Sequence, residues 1–158
     1  MKSRHKINFR HLDIQVVSDT AIISSYLPGP ANLNPPLFEK GVKDIYPYSW
    51  NDSFSEEIKE KAYDVIKIVS PFIEAQILPD WGFHLYRAID RITKRDLFHR
   101  PEVMKPANNA IRGAYVAGGV EFNFPVGHNA MTWNRVGLHI KKTEEGVSAL
   151  FHNIDKCS

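Results

Sequence analysis

Five side chains toward the C-terminal end are of types that, brought together, can do chemistry: Glu121, His128, Arg135, His139 and His152. An imidazole titrates near neutral pH and moves protons in either direction, while a guanidinium holds a phosphate or an oxyanion. Alternation puts Glu121 and Asn123 on one side of an extended segment, and Val120, Phe122 and Phe124 on the other. If Glu121 shares a face with Arg135, His139 and His152, the set suits a small histidine-dependent hydrolase of nuclease or phosphodiesterase type. His128 lies in Gly127-His128-Asn129, loop chemistry from which a histidine can reach such a site. The competing explanation is that polar residues alternate along a half-exposed strand because water lies on that side.

The element that must position them reads as a three-stranded meander from Gly113 to His152. Val136, Leu138 and Ile140 alternate with Arg135, Gly137, His139 and Lys141, and Val147, Ala149 and Phe151 alternate with Ser148, Leu150 and His152. A two- or four-residue loop between them sets Ile140 opposite Ala149 and Leu138 opposite Phe151, so apolar meets apolar on one face. The opposite face then collects Arg135, His139, Lys141 and His152. Gly118-Gly119 marks a bulge or bend before Glu121.

A second candidate is the basic stretch from Arg87 to Lys105. Arg87, Arg91, Lys94, Arg95 and Arg100, with Tyr86, Phe98 and His99 interleaved, are the types that contact phosphates and stack on bases. The same pattern fits a short solvated helix built on Ile89 and Ile92. His84, on the otherwise apolar alternation of Trp81 to Tyr86, reads as a hydrogen-bonded core histidine.

Residues 28–50 are dense in proline (Pro28, Pro30, Pro35, Pro36, Pro47), which removes ladder donors and bars helix interiors. Leu33, Leu37, Phe38, Tyr46, Tyr48 and Trp50 make the segment too apolar for a solvated linker, so it is expected to be a partner-contact arm.

The rest of the chain reads as scaffold. Residues 9–27 suggest a β-hairpin turning at Ser18-Asp19. Ser53-x-x-Glu56 has the form of a capping box, and Phe54, Ile58, Ala62, Val65, Ile66 and Val69 recur at helical spacing. Pro71 then kinks or stops that helix, and Ser70-Pro71 can start a short second one through Gln76. The expectation is a single α+β domain over 1–158: a mainly antiparallel sheet of N-terminal hairpin and C-terminal meander, packed on a kinked central helix.

Composition narrows function mainly by exclusion. The 158 residues are 43% hydrophobic and 24% charged with a formal net charge of +2, so no global field draws the chain to nucleic acid or membrane. No phosphate-binding glycine loop, dinucleotide fingerprint, zinc-protease helix or serine-hydrolase elbow occurs, and Cys157 stands alone. No cofactor and no metal are therefore expected. No apolar run reaches the ~20 residues of a membrane span, and no apolar core follows the basic N-terminus, so a cytoplasmic protein is expected. The leading expectation is a non-enzymatic structural or interaction subunit of a larger assembly, self-associating or partner-bound, of which a viral or phage particle component is one example. The hydrolase is the alternative, and nucleic-acid contact through the basic stretch is a weaker one.

Overall fold

The run Val65-Ile66-Lys67-Ile68-Val69 is nearly all β-branched, and such side chains are stiff in a helix and comfortable on a pleated surface. A computed structural model describes residues 14–30, 53–107, 115–122, 132, 134–144 and 146–154, and shows this run at the end of a long strand. In chain order the elements are β1 (Gln15–Pro28), β2 (Phe54–Val69), β3 (Ile73–Leu78), a 3-10 turn (Pro79–Trp81), β4 (His84–Asp90), β5 (Pro106–Ala107), β6 (Tyr115–Val116), β7 (Gly137–Thr143) and β8 (Gly146–His152). β1 to β4 form an antiparallel meander, and β5–β6 and β7–β8 are two-stranded ribbons. Among the described residues there is no α-helix, so the expected α+β fold on a kinked central helix is replaced by strands.

The overturned helix has a clear physical cause. β2 pairs with β1 from Gln15↔Val69 to Pro28↔Phe54, and this long ladder overrides a helical stripe. Ser53 caps nothing; its carbonyl accepts the Gly29 amide at 2.6 Å. Where a hairpin is expected within 9–27, the described part from Gln15 is one continuous strand, since Asp19 bonds Lys67 of β2 and the Thr20 amide rather than making a turn. Ser70-Pro71 starts a hairpin turn, not a second helix: the Ser70 hydroxyl accepts the amides of Phe72 (3.2 Å) and Ile73 (3.0 Å). The basic stretch is likewise not a helix but the end of β4, a turn at 91–94, and a return beside β4.

Residues directly opposite in an antiparallel ladder share a face. On the inner face of the sheet Ile23, Tyr63, Val65, Leu78, Trp81 and Tyr86 form a core with Met104 and Val116 from the segment after β4. That segment reaches both edges of the sheet. Met104 pairs with Ser25 on β1 through hydrogen bonds to Ser24 and Tyr26, and Val120 pairs with Leu85 on β4. Two buried hydroxyls are satisfied in series: Tyr63 donates to Ser25 Oγ (3.1 Å), which donates to the Ile23 carbonyl (3.2 Å).

The C-terminal ribbon has the register read from its alternation, Leu138↔Phe151 and Ile140↔Ala149. It is two-stranded rather than a three-stranded meander, because Val120 pairs with β4 instead. Gly118 and Gly119 form the expected bend, at φ +80° and +67°.

Candidate functional site

The C-terminal constellation does not come together as one site among the described residues. His139 lies opposite Leu150 and His152 opposite Gly137, so the two imidazoles share a face but sit diagonally, about 7–8 Å apart at the backbone. A Cβ on Gly137 would meet the His152 ring at 2.4 Å, which places that ring over the glycine. Arg135 points elsewhere: it donates to Asp64 of β2 (2.8 Å) and to Asp80 of the 3-10 turn. With the Val136 amide on the Pro79 carbonyl (3.0 Å), it ties the entry to β7 onto the sheet. Glu121 accepts from the Thr132 hydroxyl at 3.0 Å. His128 lies outside the described residues.

The Glu121 charge instead acts on His84, which the sequence marks only as a core histidine. Gly82 and Phe83 both take left-handed backbone, φ +59° and +67°, and turn the chain into β4 so that His84 points inward. His84 is 1% exposed and closely approached by Gly119, where a Cβ would lie 2.8 Å from Nε2. Burial lowers its pKa, against opposing pulls from the Glu121 charge and a hydrogen bond to the Gly118 backbone. Nδ1 is buried without a hydrogen-bond partner in the described structure. Nearby, Phe83 stacks on Phe122 (4.9 Å between centroids) and meets Phe151 of β8 (4.0 Å). A neutral imidazole so enclosed is suited to holding two turns together, not to attacking a substrate. Among the described residues no three histidine, cysteine or carboxylate side chains converge as metal ligands.

The cations of the basic stretch are mostly occupied. Arg87 pairs with Asp96 (2.5 and 3.3 Å), Arg91 donates to the Ser70 carbonyl (2.5 Å), and Arg100 donates to the Tyr86 hydroxyl (3.1 Å). Lys94 and Arg95 are exposed on or beside the turn. Such partners leave no continuous basic groove for a nucleic-acid backbone among the described residues.

The outer face of the β1–β2 ribbon carries exposed apolar side chains on paired strands. Ile22 is 63% exposed opposite exposed Ala62, and Ile58 is 49% exposed opposite Tyr26. Thr20 and Asp64 border them on one side, and Ser24 and Glu60 lie between the two pairs. The other expected contact residues, Leu33, Leu37, Phe38, Tyr46, Tyr48 and Trp50, lie outside the described residues. No helix among the described residues is long and apolar enough to cross a membrane.

Residues 40–157 match the family described as "Domain of unknown function (DUF5107)", and the chain belongs to that family. It is also similar to the crystal structure of a TPR-domain containing protein from Parabacteroides distasonis ATCC 8503, with a TM-score of 0.70 and 22% identity over 86% of this chain. The match spans 23% of that protein's chain, and at this identity it shows the fold alone.

Proposed function

We propose that this member of the DUF5107 family is a non-enzymatic interaction domain within a larger protein or assembly, making protein contacts through the outer face of its β1–β2 ribbon. The observation that carries the reading is the exposure of Ile22 and Ile58 beside Ala62 on that face. The main core cluster includes neither isoleucine, so their exposed apolar surface contributes little to the fold. Support comes from the structural neighbour, a TPR-domain containing protein in which the corresponding fold is less than a quarter of the chain. No comparison speaks for a viral or phage particle. The hydrolytic alternative is weakened because Arg135 is bound by Asp64 and Asp80 and Glu121 by Thr132.

Sedimentation velocity across a concentration series tests the reading. The wild-type chain is expected to self-associate, and Ile22→Ser with Ile58→Ser to abolish this without lowering the melting temperature. A wild-type chain that stays monomeric throughout, or a double variant that associates unchanged, would overturn the reading of this face as one on which copies of the chain meet.

A further inference from the structure

One end of the sheet carries a second apolar surface of a different kind. The β2–β3 turn and the turn after β4 lie side by side there, joined by the Arg91 amide on the Phe72 carbonyl (2.8 Å) and by the Arg91 guanidinium on Ser70. Together they make a single tip on which Phe72 (48% exposed), Ile73 (43%) and Ile92 (72%) reach solvent. We propose that this tip is a docking device for a bilayer surface rich in anionic lipid headgroups, with Phe72 and Ile92 entering the interface and Lys94 and Arg95 meeting the headgroups.

Three observations carry the proposal. The first is charge. Arg91, Lys94 and Arg95 flank the apolar residues, while the one carboxylate of that turn, Asp90, is turned inward on the amides of Ile92 (2.8 Å) and Thr93 (3.1 Å). The adjacent Asp96 is paired with Arg87. A cationic rim beside exposed aliphatic and aromatic side chains complements an anionic interface.

The second is the backbone. An amide that enters the apolar edge of a bilayer must already be hydrogen-bonded. Ser70 donates to the Ile73 carbonyl, and Phe72 and Ile73 donate to Ser70 Oγ. Asp90 donates to the Arg95 carbonyl and Lys94 to the Asp90 carbonyl. With Arg91, Ile92 and Thr93 bonded as given above, each amide of 70–73 and 90–94 has its acceptor inside the tip, and Pro71 has no donor to satisfy.

The third is shape. Two tight turns projecting from a sheet end are convex. A protein partner would need a matching cavity, whereas a lipid interface accommodates any small convex wedge. This surface is separate from the outer ribbon face, so its fate is independent of the reading above.

Cosedimentation of the full chain with phosphatidylcholine vesicles, with and without phosphatidylserine, tests the proposal. Binding is expected to the anionic vesicles and not to the neutral ones, and to weaken as salt is raised. Phe72→Ser with Ile92→Ser should reduce partitioning at least about tenfold. Lys94→Asn with Arg95→Gln should do so by a similar factor, at roughly fivefold per cation. In the separate variant Ile92→Trp, the indole emission in excess of that of the wild type, which carries Trp50, Trp81 and Trp133, should shift to the blue on adding anionic vesicles. The proposal is overturned if the wild type ignores anionic vesicles or binds both kinds alike, or if the indole emission does not move. It also falls if Phe72→Ser with Ile92→Ser instead dissociates a dimer, which would make the tip an interface between copies.

Discussion

Leu85 and Val120 exchange both backbone hydrogen bonds, each at 3.0 Å, and this pair fastens the segment after β4 to the outer edge of the sheet. Gly119 makes the approach possible. At φ +67° it uses backbone that side chains rarely adopt, and a Cβ there would stand 2.4 Å from the Leu85 carbonyl oxygen and 2.8 Å from His84 Nε2. Neither neighbour is the free end of a flexible chain. Gly119→Ala is therefore expected to destabilise the fold by about 3 kcal/mol or more, combining left-handed strain with a backbone clash. Chemical denaturation checks this, and a loss below about 1 kcal/mol would show that the bend relaxes.

The Tyr63–Ser25–Ile23 relay predicts a coupling. Ser25→Ala leaves the buried Tyr63 hydroxyl without its acceptor and should cost about 1–3 kcal/mol. Tyr63→Phe leaves Ser25 still donating to the Ile23 carbonyl but removes the hydroxyl that the buried Trp81 indole also bonds, and should likewise cost about 1–3 kcal/mol. Combining the two removes donor and acceptor together, so the double variant should be less destabilised than the sum. Strict additivity in the double-mutant cycle would mean the two hydroxyls do not interact.

His84 predicts a pH dependence of definite sign. Its folded-state pKa lies below the unfolded value, because burial disfavours the imidazolium more than Glu121 and the Gly118 backbone favour it. Below the unfolded histidine pKa, near 6.5, the unfolded chain therefore binds more protons, and stability falls with pH until the folded-state pKa is reached. Full stability is present above that window. His84→Gln should flatten the stability profile below about pH 6.5. Glu121→Gln should steepen it, since it removes a charge that supports the imidazolium. The depressed pKa of Asp90, caused by its bonds to the Thr93 and Ile92 amides, acts at more acidic pH and leaves this window clear. Unfolding midpoints in urea across the range decide the matter, and parallel profiles for wild type and His84→Gln would refute it.

What alternation revealed and concealed follows from how local each pairing is. The register of β7 and β8 was legible because the two strands are joined by a two-residue connection and each carries a clean period of two. β2 carries a helical pattern because residues four apart, such as Phe54, Ile58, Ala62 and Ile66, lie on one side of a helix and also on one face of a strand. The residues that separate the cases are Tyr63 and Val65. Both are fully buried, yet at two residues apart they would fall on nearly opposite sides of a helix. Their partners on β1 are remote in sequence, so local pattern could not reveal the ladder. His84 was legible as core for the same reason that its neighbour was not. Its burial is expected from an otherwise apolar strand, whereas Glu121 arrives from a bend set by two left-handed glycines.

The attachment of the C-terminal ribbon gives the last prediction. Phe83 holds φ +67°, costly for a large side chain, and its ring lies between Phe122 and Phe151. The backbone strain is thus offset by aromatic contacts that only this position supplies. Phe151→Ala removes the closer contact, on a side chain only part-buried, and should destabilise by about 1–2 kcal/mol. The loss should be local. Arg135 still ties the start of β7 to Asp64 and Asp80, and the core of Tyr63, Val65 and Leu78 is untouched. Hydrogen exchange should accelerate in β7 and β8 while β2 and β3 keep their protection. A uniform rise across all strands would mean that the ribbon and the meander unfold as one cooperative unit, and that the Phe83–Phe151 contact supports the whole fold.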